Sequence, residues 1–379
     1  MMNPSSELRE FQRTARRFAE REIAPHALEW DDHPQNFPWE ALQKGAEAGL
    51  LSFHLPGPGE SEPPFPGLMP AAVLIEELAA ACAGTAAILS GHLLATWALF
   101  QAEEAGARFL EPLLASLSAE KPALAALAWQ EVEPERLMST ATPAGSAFIL
   151  NGRKRLVRSG NLAQVVVVSV QESSAAGGKG SALAVVPAGA AGFSVEKVER
   201  TLGWRICPMA ELLFEDCRIP AENLIARGRG EEIMEGALAY ASVMSAAAAI
   251  GATSGAAETA LRYAADRYQG GKMIIEHDAV AEMLANMEVR LHAARSSLWQ
   301  ACAASRPARA ELAAAKAFAS EAGVDACLDA VQVLGGYGYM HEYGQEKRLR
   351  DVQMTCHYEE TNQQLRQLIL RETRRKSEV

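Results

Sequence analysis

The residues of this chain with the greatest capacity for acid–base chemistry are two adjacent carboxylates near the C-terminus, in the run Tyr358-Glu359-Glu360-Thr361. A carboxylate withdrawn from water has a raised pKa and becomes a stronger base toward a weakly acidic C–H bond. Two neighbouring acids on a helical segment are also a common solvated face, and that reading stands beside the catalytic one. Arg267-x-Gln269 is by itself an ordinary surface feature, Arg158 is a cation on a short strand, and Gly335-Gly336 is the usual signal of a helix stop and turn. The six cysteines, Cys82, Cys207, Cys217, Cys302, Cys327 and Cys356, contain no C-x-x-C pair and have no His at ligand spacing. Neither a disulfide framework nor a metal site is expected from them.

Three kinds of element must position these groups. Leu8, Phe11, Ala15 and Phe18 recur at three- and four-residue intervals, the signature of a helix with one buried face. After the Pro/Gly-rich loop HLPGPGESEPPFPG, the run from Leu74 through Leu99 is Ala-rich and predicts two or three long, closely packed helices. The β-branched runs 164–170, 182–187, 192–198 and 210–220, separated by Gly, Ser and Pro, then predict strands, with SSAAGGKGS as a hairpin connection. Helical patterning returns at 232–269, 278–304, 308–334 and 352–373, with breaks at Gly270-Gly271, Pro307 and Gly335-Gly336. The expected fold class is α+β, mainly α: an N-terminal helical domain (1–121), a middle β domain (122–228) and a C-terminal four-helix bundle (229–379).

The 379 residues, 49% hydrophobic and 22% charged, have the balance of a globular protein of two or three domains. A formal net charge of -11 argues against a nucleic-acid partner. The N-terminal stretch is charged and amphipathic rather than a signal peptide, and no apolar stretch is flanked as a membrane span would be, so the expected location is cytoplasmic.

The order of domains resembles the acyl-CoA dehydrogenase family, and motifs spread over nearly the whole chain carry the resemblance. They are FAEREIAPHALEWD with FPWEALQKGAEAGLL at the start, FILNGRKRLVRSG as a strand-turn-strand, and LGWRICPMAELLFEDCRIPAENLI leading into the bundle. RYQGGKMIIEH, VQVLGGYGY and YEETNQQLRQLILRE follow in order. The resemblance implies a tetramer or related oligomer, one FAD per subunit, an acyl-CoA substrate, and oxidation of its thioester between the α and β carbons. Glu359 matches the family's base, in a Tyr-Glu-Gly-Thr stretch whose Gly is Glu360 here. A base drawn from the first bundle helix, as in some members, would fall at Ala241, which cannot serve. Arg267 and Gln269 match residues that reach a neighbouring subunit's FAD pyrophosphate. Gln332, Gly335 and Gly336 match a backbone-lined edge open to a phosphate, and Thr361 and Gln363 match the turn that meets the adenosine.

The β domain departs from the family's pattern. Its Thr-Glu-Pro-x-Ala-Gly-Ser-Asp loop is replaced by Trp129-Gln130-Glu131-Val132-Glu133-Pro134-Glu135-Arg136, about four residues shorter by alignment. The small residues that admit a cofactor are gone, and Glu133 and Glu135 bring negative charge unless they point into solvent. The Trp-x-Thr that stacks on the flavin becomes Leu156, Val157 and Arg158, with Arg158 a candidate donor to the flavin edge or an acyl carbonyl. The first expectation is a working FAD-dependent dehydrogenase, feeding an electron-accepting flavoprotein. Two alternatives remain: a non-catalytic partner subunit in a hetero-oligomer with a homologous chain, and proton chemistry on an acyl-CoA without redox.

Overall fold

The computed structural model describes residues 5–57, 63–64, 67–133, 138–173, 179–304 and 308–377. Helix α1 (Ser6–Phe18) starts where the Ser5 hydroxyl accepts the Leu8 amide at 3.1 Å, an N-cap that satisfies an otherwise orphaned donor. Its Phe11 and Ala15 are buried, and Leu8 and Phe18 pack against the same core, as their spacing predicts. The short helices α2 (Ala27–Asp32) and α3 (Trp39–Glu47) lead to α4 (Met69–Gln101) and α5 (Glu104–Ala115). The long helices expected over 74–99 are one run, α4, interrupted at Cys82, where φ −156° and ψ 109° break the helical path.

The middle of the chain forms strands β1 (Ala125–Ala128), β2 (Thr140–Ala144), β3 (Ala147–Arg158), β4 (Val165–Ser173), β5 (Lys179–Pro187), β6 (Phe193–Glu199), β7 (Met209–Pro220) and β8 (Leu224–Ile225). They make one sheet in the order β6-β7-β3-β2-β4-β5-β8, with β1 running parallel to β4 beside it. β4 and β5 pair from Val165↔Pro187 to Ser173↔Lys179, which makes SSAAGGKGS the hairpin connection expected; residues 174–178 lie outside the described residues. Asn151-Gly152, expected as a turn between two strands, does not reverse the chain. β3 runs through it against β7, with register irregularities between Leu150 and Gly152 and between Lys154 and Val157. The second irregularity re-aims the end of β3, where Arg158 sits.

The bundle consists of α6 (Gly230–Asp266), α7 (Asp278–Ala303), α8 (Arg309–Leu334), α9 (Gln345–His357) and α10 (Asn362–Ser377). Two boundaries differ from expectation. α6 stops at Asp266, so Arg267 and Gln269 lie beyond it, and Gln269 belongs to a two-stranded hairpin of β9 (Tyr268–Gln269) and β10 (Lys272–Met273). Gly270 and Gly271 turn that hairpin at φ +63° and +85°, values that favour glycine. The helix expected over 352–373 is two helices, α9 and α10, parted at residues 358–361. The break expected at Pro307 lies outside the described residues.

The core is built on α4 against α6. A Cβ added to Gly251 would overlap the Glu76 carbonyl oxygen, and one on Gly255 the Ala80 carbonyl oxygen, so the two helices approach backbone to side-chainless backbone. Both helices are long and apolar enough to cross a bilayer by length and composition, contrary to the expectation that no stretch would be. Their most apolar windows are 89% and 72% buried inside the protein, which makes the apolarity that of core helices hydrophobic on every side. Gly251→Val is expected to lower the denaturant midpoint by an overpacking cost of about 1–3 kcal/mol. Gly180→Ala, with no atom within 4 Å of the added Cβ, should leave it nearly unchanged. Equal midpoints for the two variants would contradict this close crossing.

Candidate active site

The break between α9 and α10 is where the chemistry gathers. The Tyr358 amide closes α9 on the Met354 carbonyl at 2.9 Å, and α10 starts with a reciprocal cap. The Thr361 amide donates to Gln364 Oε1 at 2.8 Å, while the Gln364 amide donates to Thr361 Oγ1 at 3.2 Å. Between the two helices Glu359 takes the left-handed conformation, φ +63°. The residue strained by this turn is therefore Glu359, and Glu360, standing where the family has Gly, is not.

Glu359 is 6% exposed and Arg158, at the end of β3, is 5% exposed. Arg158 Nη2 donates to Glu359 Oε1, Nη1 donates to Ser90 Oγ of α4 at 2.8 Å, and the guanidinium lies over the Tyr358 ring, 5.0 Å from its centroid. Glu359 Oε2 is buried without a hydrogen-bond partner. Burial pushes the Glu359 carboxyl above the ordinary carboxylate range, opposed chiefly by Arg158 and then by Lys316. A Cβ on Gly91 would stand 3.0 Å from Arg158 Cβ, so a glycine there lets the arginine cross α4.

Strain concentrates on this junction. Leu156 (φ +54°) and Ser159 (φ +51°) flank Arg158 closely, and Trp204 (φ +53°) sets its ring edge-on to Tyr358 at 5.5 Å. The Tyr358 hydroxyl donates to the Leu156 carbonyl at 2.6 Å. Left-handed non-glycine residues cost about 1–3 kcal/mol each and persist where surrounding contacts over-determine them, commonly at functional sites.

Lys316 of α8 underpins the turn, donating from Nζ to the Glu360 carbonyl and to Asn362 Oδ1, each at 2.8 Å. Burial pushes its ammonium down to about 8. Glu360 turns away and pairs with Arg309, whose Nη1 also donates to Ser242 Oγ at 3.0 Å. Lys316, Arg309, Ser90 and Gly91 escaped the sequence reading. Lys316 left a faint signal, as the lone charge among small residues and Phe in AAAKAFAS.

Of the other residues carried over by resemblance, Gln130 reaches the turn, donating from Nε2 to the Glu359 carbonyl at 2.8 Å. Trp129 offers its carbonyl to Lys154 Nζ at 3.3 Å. The shortened loop is anchored by Glu131, which takes Lys154 at 2.6 Å and the Ser139 amide and hydroxyl at 2.9 Å each. Glu133 is exposed; Pro134, Glu135 and Arg136 lie outside the described residues. Thr361 is spent on the α10 cap, and Gln363 is exposed.

Arg267, Gln269, Gln332, Gly335 and Gly336 form a second, exposed group at the ends of α6 and α8. Arg267 lies over the Tyr337 ring at 5.7 Å, and neither Gly335 nor Gly336 has an atom within 4 Å of an added Cβ. A cavity of about 1420 Å³ lies elsewhere, among Phe11, Phe53, Phe100, Leu110 and Leu114 of the N-terminal domain. Asp31, His341 and Glu346 lie close enough to chelate a metal, but Arg350 already donates to both carboxylates, at 2.6 Å each.

Three family models match the chain: acyl-CoA dehydrogenase N-terminal domain over residues 5–116, middle domain over 133–217 and C-terminal domain over 228–373. Cyclohex-1-ene-1-carbonyl-CoA dehydrogenase of Syntrophus aciditrophicus is 33% identical over 361 residues, 92% of this chain and 85% of its own. Butyryl-CoA dehydrogenase from Megasphaera elsdenii superposes with a TM-score of 0.90 at 26% identity, covering 98% of this chain and 99% of that one. The FAD complex of PigA superposes with a TM-score of 0.87 at 26% identity, covering 98% and 99%.

The depressed Lys316 ammonium has a consequence for stability. Between about 8 and the ordinary 10.5, the unfolded chain holds this proton and the folded chain has released it, so stability should rise with pH across that window. Thermal midpoints of wild type and Lys316→Met across pH 7.5 to 10.5, a span set by those two pKa values, should show the rise in wild type and a smaller one in the variant. Parallel curves would contradict a buried, partly neutralised lysine.

Proposed function

Because the chain belongs to the acyl-CoA dehydrogenase family, whose members are FAD-dependent oxidoreductases of acyl-CoA thioesters, we propose that Glu359 is the base that removes the thioester's α-proton. The observation that carries this reading is a buried carboxylate with one oxygen lacking a partner, held in a left-handed turn amid other strained residues. Desolvation makes such a group basic, and the Tyr358 hydroxyl ties the turn to the end of β3. Glu360, paired with Arg309 and one-fifth exposed, is suited to holding the turn rather than to proton removal.

The residues fit the cofactor unevenly. At the dinucleotide end, Arg267, Gln269 and Gln332 are exposed beside the open backbone of Gly335 and Gly336, a surface suited to a pyrophosphate carried by a neighbouring subunit. At the ring end, Leu156, Val157 and Arg158 stand where the family has its stacking Trp-x-Thr, and Arg158 pairs with Glu359 across the junction between β3 and the bundle. When bound, FAD supplies the acceptor for the β-hydride. The chain's own residues supply the base, the buried surroundings that strengthen it, and a closed site that excludes water.

The same ion pair favours a second reading, a subunit whose exposed Arg267 and Gly335-Gly336 edge serves the flavin of a homologous chain while its own site stays shut. In either case the assembly is an oligomer of this chain, with itself or with a homologue, and its electrons pass to a further flavoprotein.

Flavin bleaching on anaerobic mixing with a panel of acyl-CoA thioesters tests the first reading. At matched FAD content, Glu359→Gln should bleach about a hundred to ten thousand times more slowly than wild type, the usual contribution of a positioned base. Glu360→Gln should cost far less. An undiminished rate in Glu359→Gln would remove the base assignment. A wild type that holds flavin yet bleaches with no thioester would turn the case toward the partner subunit.

A further inference from the structure

Glu359 accepts a hydrogen bond from a group the mechanism above leaves idle. Arg158 donates directly to its carboxylate while its other terminal nitrogen is fixed on Ser90, and the guanidinium is stacked on Tyr358. Such a buried pair weakens the base, because an adjacent cation favours the carboxylate over its protonated form. Its other oxygen, Oε2, has no partner, and an α-carbon brought to Glu359 there stands beside that cation. The thioester oxygen is two bonds from the α-carbon, close enough for one orientation of the substrate to bring it to the nitrogen that holds the carboxylate.

We propose that Arg158 is a catalytic residue that exchanges acceptors, releasing Glu359 when a thioester enters and donating instead to the thioester oxygen. This rests on Glu359 being the base. In the step, a Glu359 oxygen forms an O–H bond to the α-proton as the C–H bond breaks. The C–H electron pair moves onto the α-carbon and the thioester oxygen, where Arg158 meets the developing negative charge. No oxidant is consumed. One residue thus restrains the base in the empty site and stabilises the enolate in the filled one.

The charged and titratable neighbours are few. Lys316 and Arg309 face Glu359 from α8, Glu360 and Tyr358 belong to its own turn, and Cys207 faces Arg158 from the segment before β7. Lys316 and Arg309 are already engaged by Glu360, which leaves Arg158 as the cation that changes partner.

Exchange of α-protons with deuterated water, followed by NMR on the holoprotein, reads this step without the redox step when the probe has no hydrogen on its β carbon. 3,3-Dimethylbutyryl-CoA and phenylacetyl-CoA are such probes. Arg158→Gln should slow exchange about a hundredfold at neutral pH, the usual cost of removing one oxyanion donor. At low probe concentration its acid limb should also move to higher pH, because the chief charge opposing the effect of burial on the Glu359 carboxyl is then gone. Arg158→Lys, which keeps a cation, should retain exchange to within about tenfold and keep the limb in place. A slowed Arg158→Gln with an unmoved limb would mean a purely structural arginine and would overturn the proposal, as would a wild-type rate in that variant or no exchange by wild type on either probe. Glu359→Gln separates the two claims. If it still exchanges, the base assignment fails and this proposal with it; if it is silent while Arg158→Gln is normal, only the role of Arg158 fails.

Discussion

A buried ion pair between residues 201 positions apart, Arg158 and Glu359, is the interaction on which the rest of this structure turns. Pairs of this kind contribute little net stability against an apolar alternative, yet removing one partner leaves a stranded charge at a cost of about 3–5 kcal/mol. The surrounding architecture is consistent with a pair retained for what it does. Three domains supply its surroundings: Ser90 and Gly91 from α4, Leu156 of β3 with Ser159 just after it, and Tyr358 and Lys316 from the bundle. Strained backbone on both sides of the pair fixes its geometry.

The long helices make this convergence possible. α4 can pass beneath β3 and against α6 because glycine and alanine remove the side chains that would hold them apart, as Gly251 and Gly255 do on α6. Further along α4, Gly84 lies against Trp204 and Ile206 in the segment before β7, and Gly91 lies against Arg158, seven residues or two turns along. The same helix thus serves as core and as the floor on which the β domain sets its catalytic edge. Apolarity that would suit a membrane is consumed internally.

The domain order and the strand runs were legible because they rest on local signals: helical spacing, β-branched runs and motifs in sequence order. What escaped notice depends on contacts between distant residues. Tyr358-Glu359-Glu360-Thr361 carries neither Gly nor Pro, so the break between α9 and α10 is silent in composition, although Thr361 and Gln364 form a capping pair at the spacing that marks a helix start. The interruption of α4 at Cys82 agrees with the expectation of more than one helix there, but its place, two residues before the isolated Gly84, was not marked. Asn151-Gly152 looks like a hairpin turn but lies inside β3, because pairing with β7 on both sides overrides the local preference. The shortened loop looked hostile to a cofactor because of Glu133 and Glu135; Glu133 is exposed and Glu135 lies outside the described residues, while Glu131 pairs with Lys154 from β3. Arg158 was visible as a replacement for the family's Thr. That it would face the base follows only from the folded chain.

The most direct measurement is a crystal structure of the holoprotein with 3,3-dimethylbutyryl-CoA bound. The expected result is a parted ion pair, with the α-carbon against Glu359 and the thioester oxygen about 2.7–3.2 Å from an Arg158 nitrogen. A bound thioester that leaves Arg158 and Glu359 still joined would contradict the assignment of both residues.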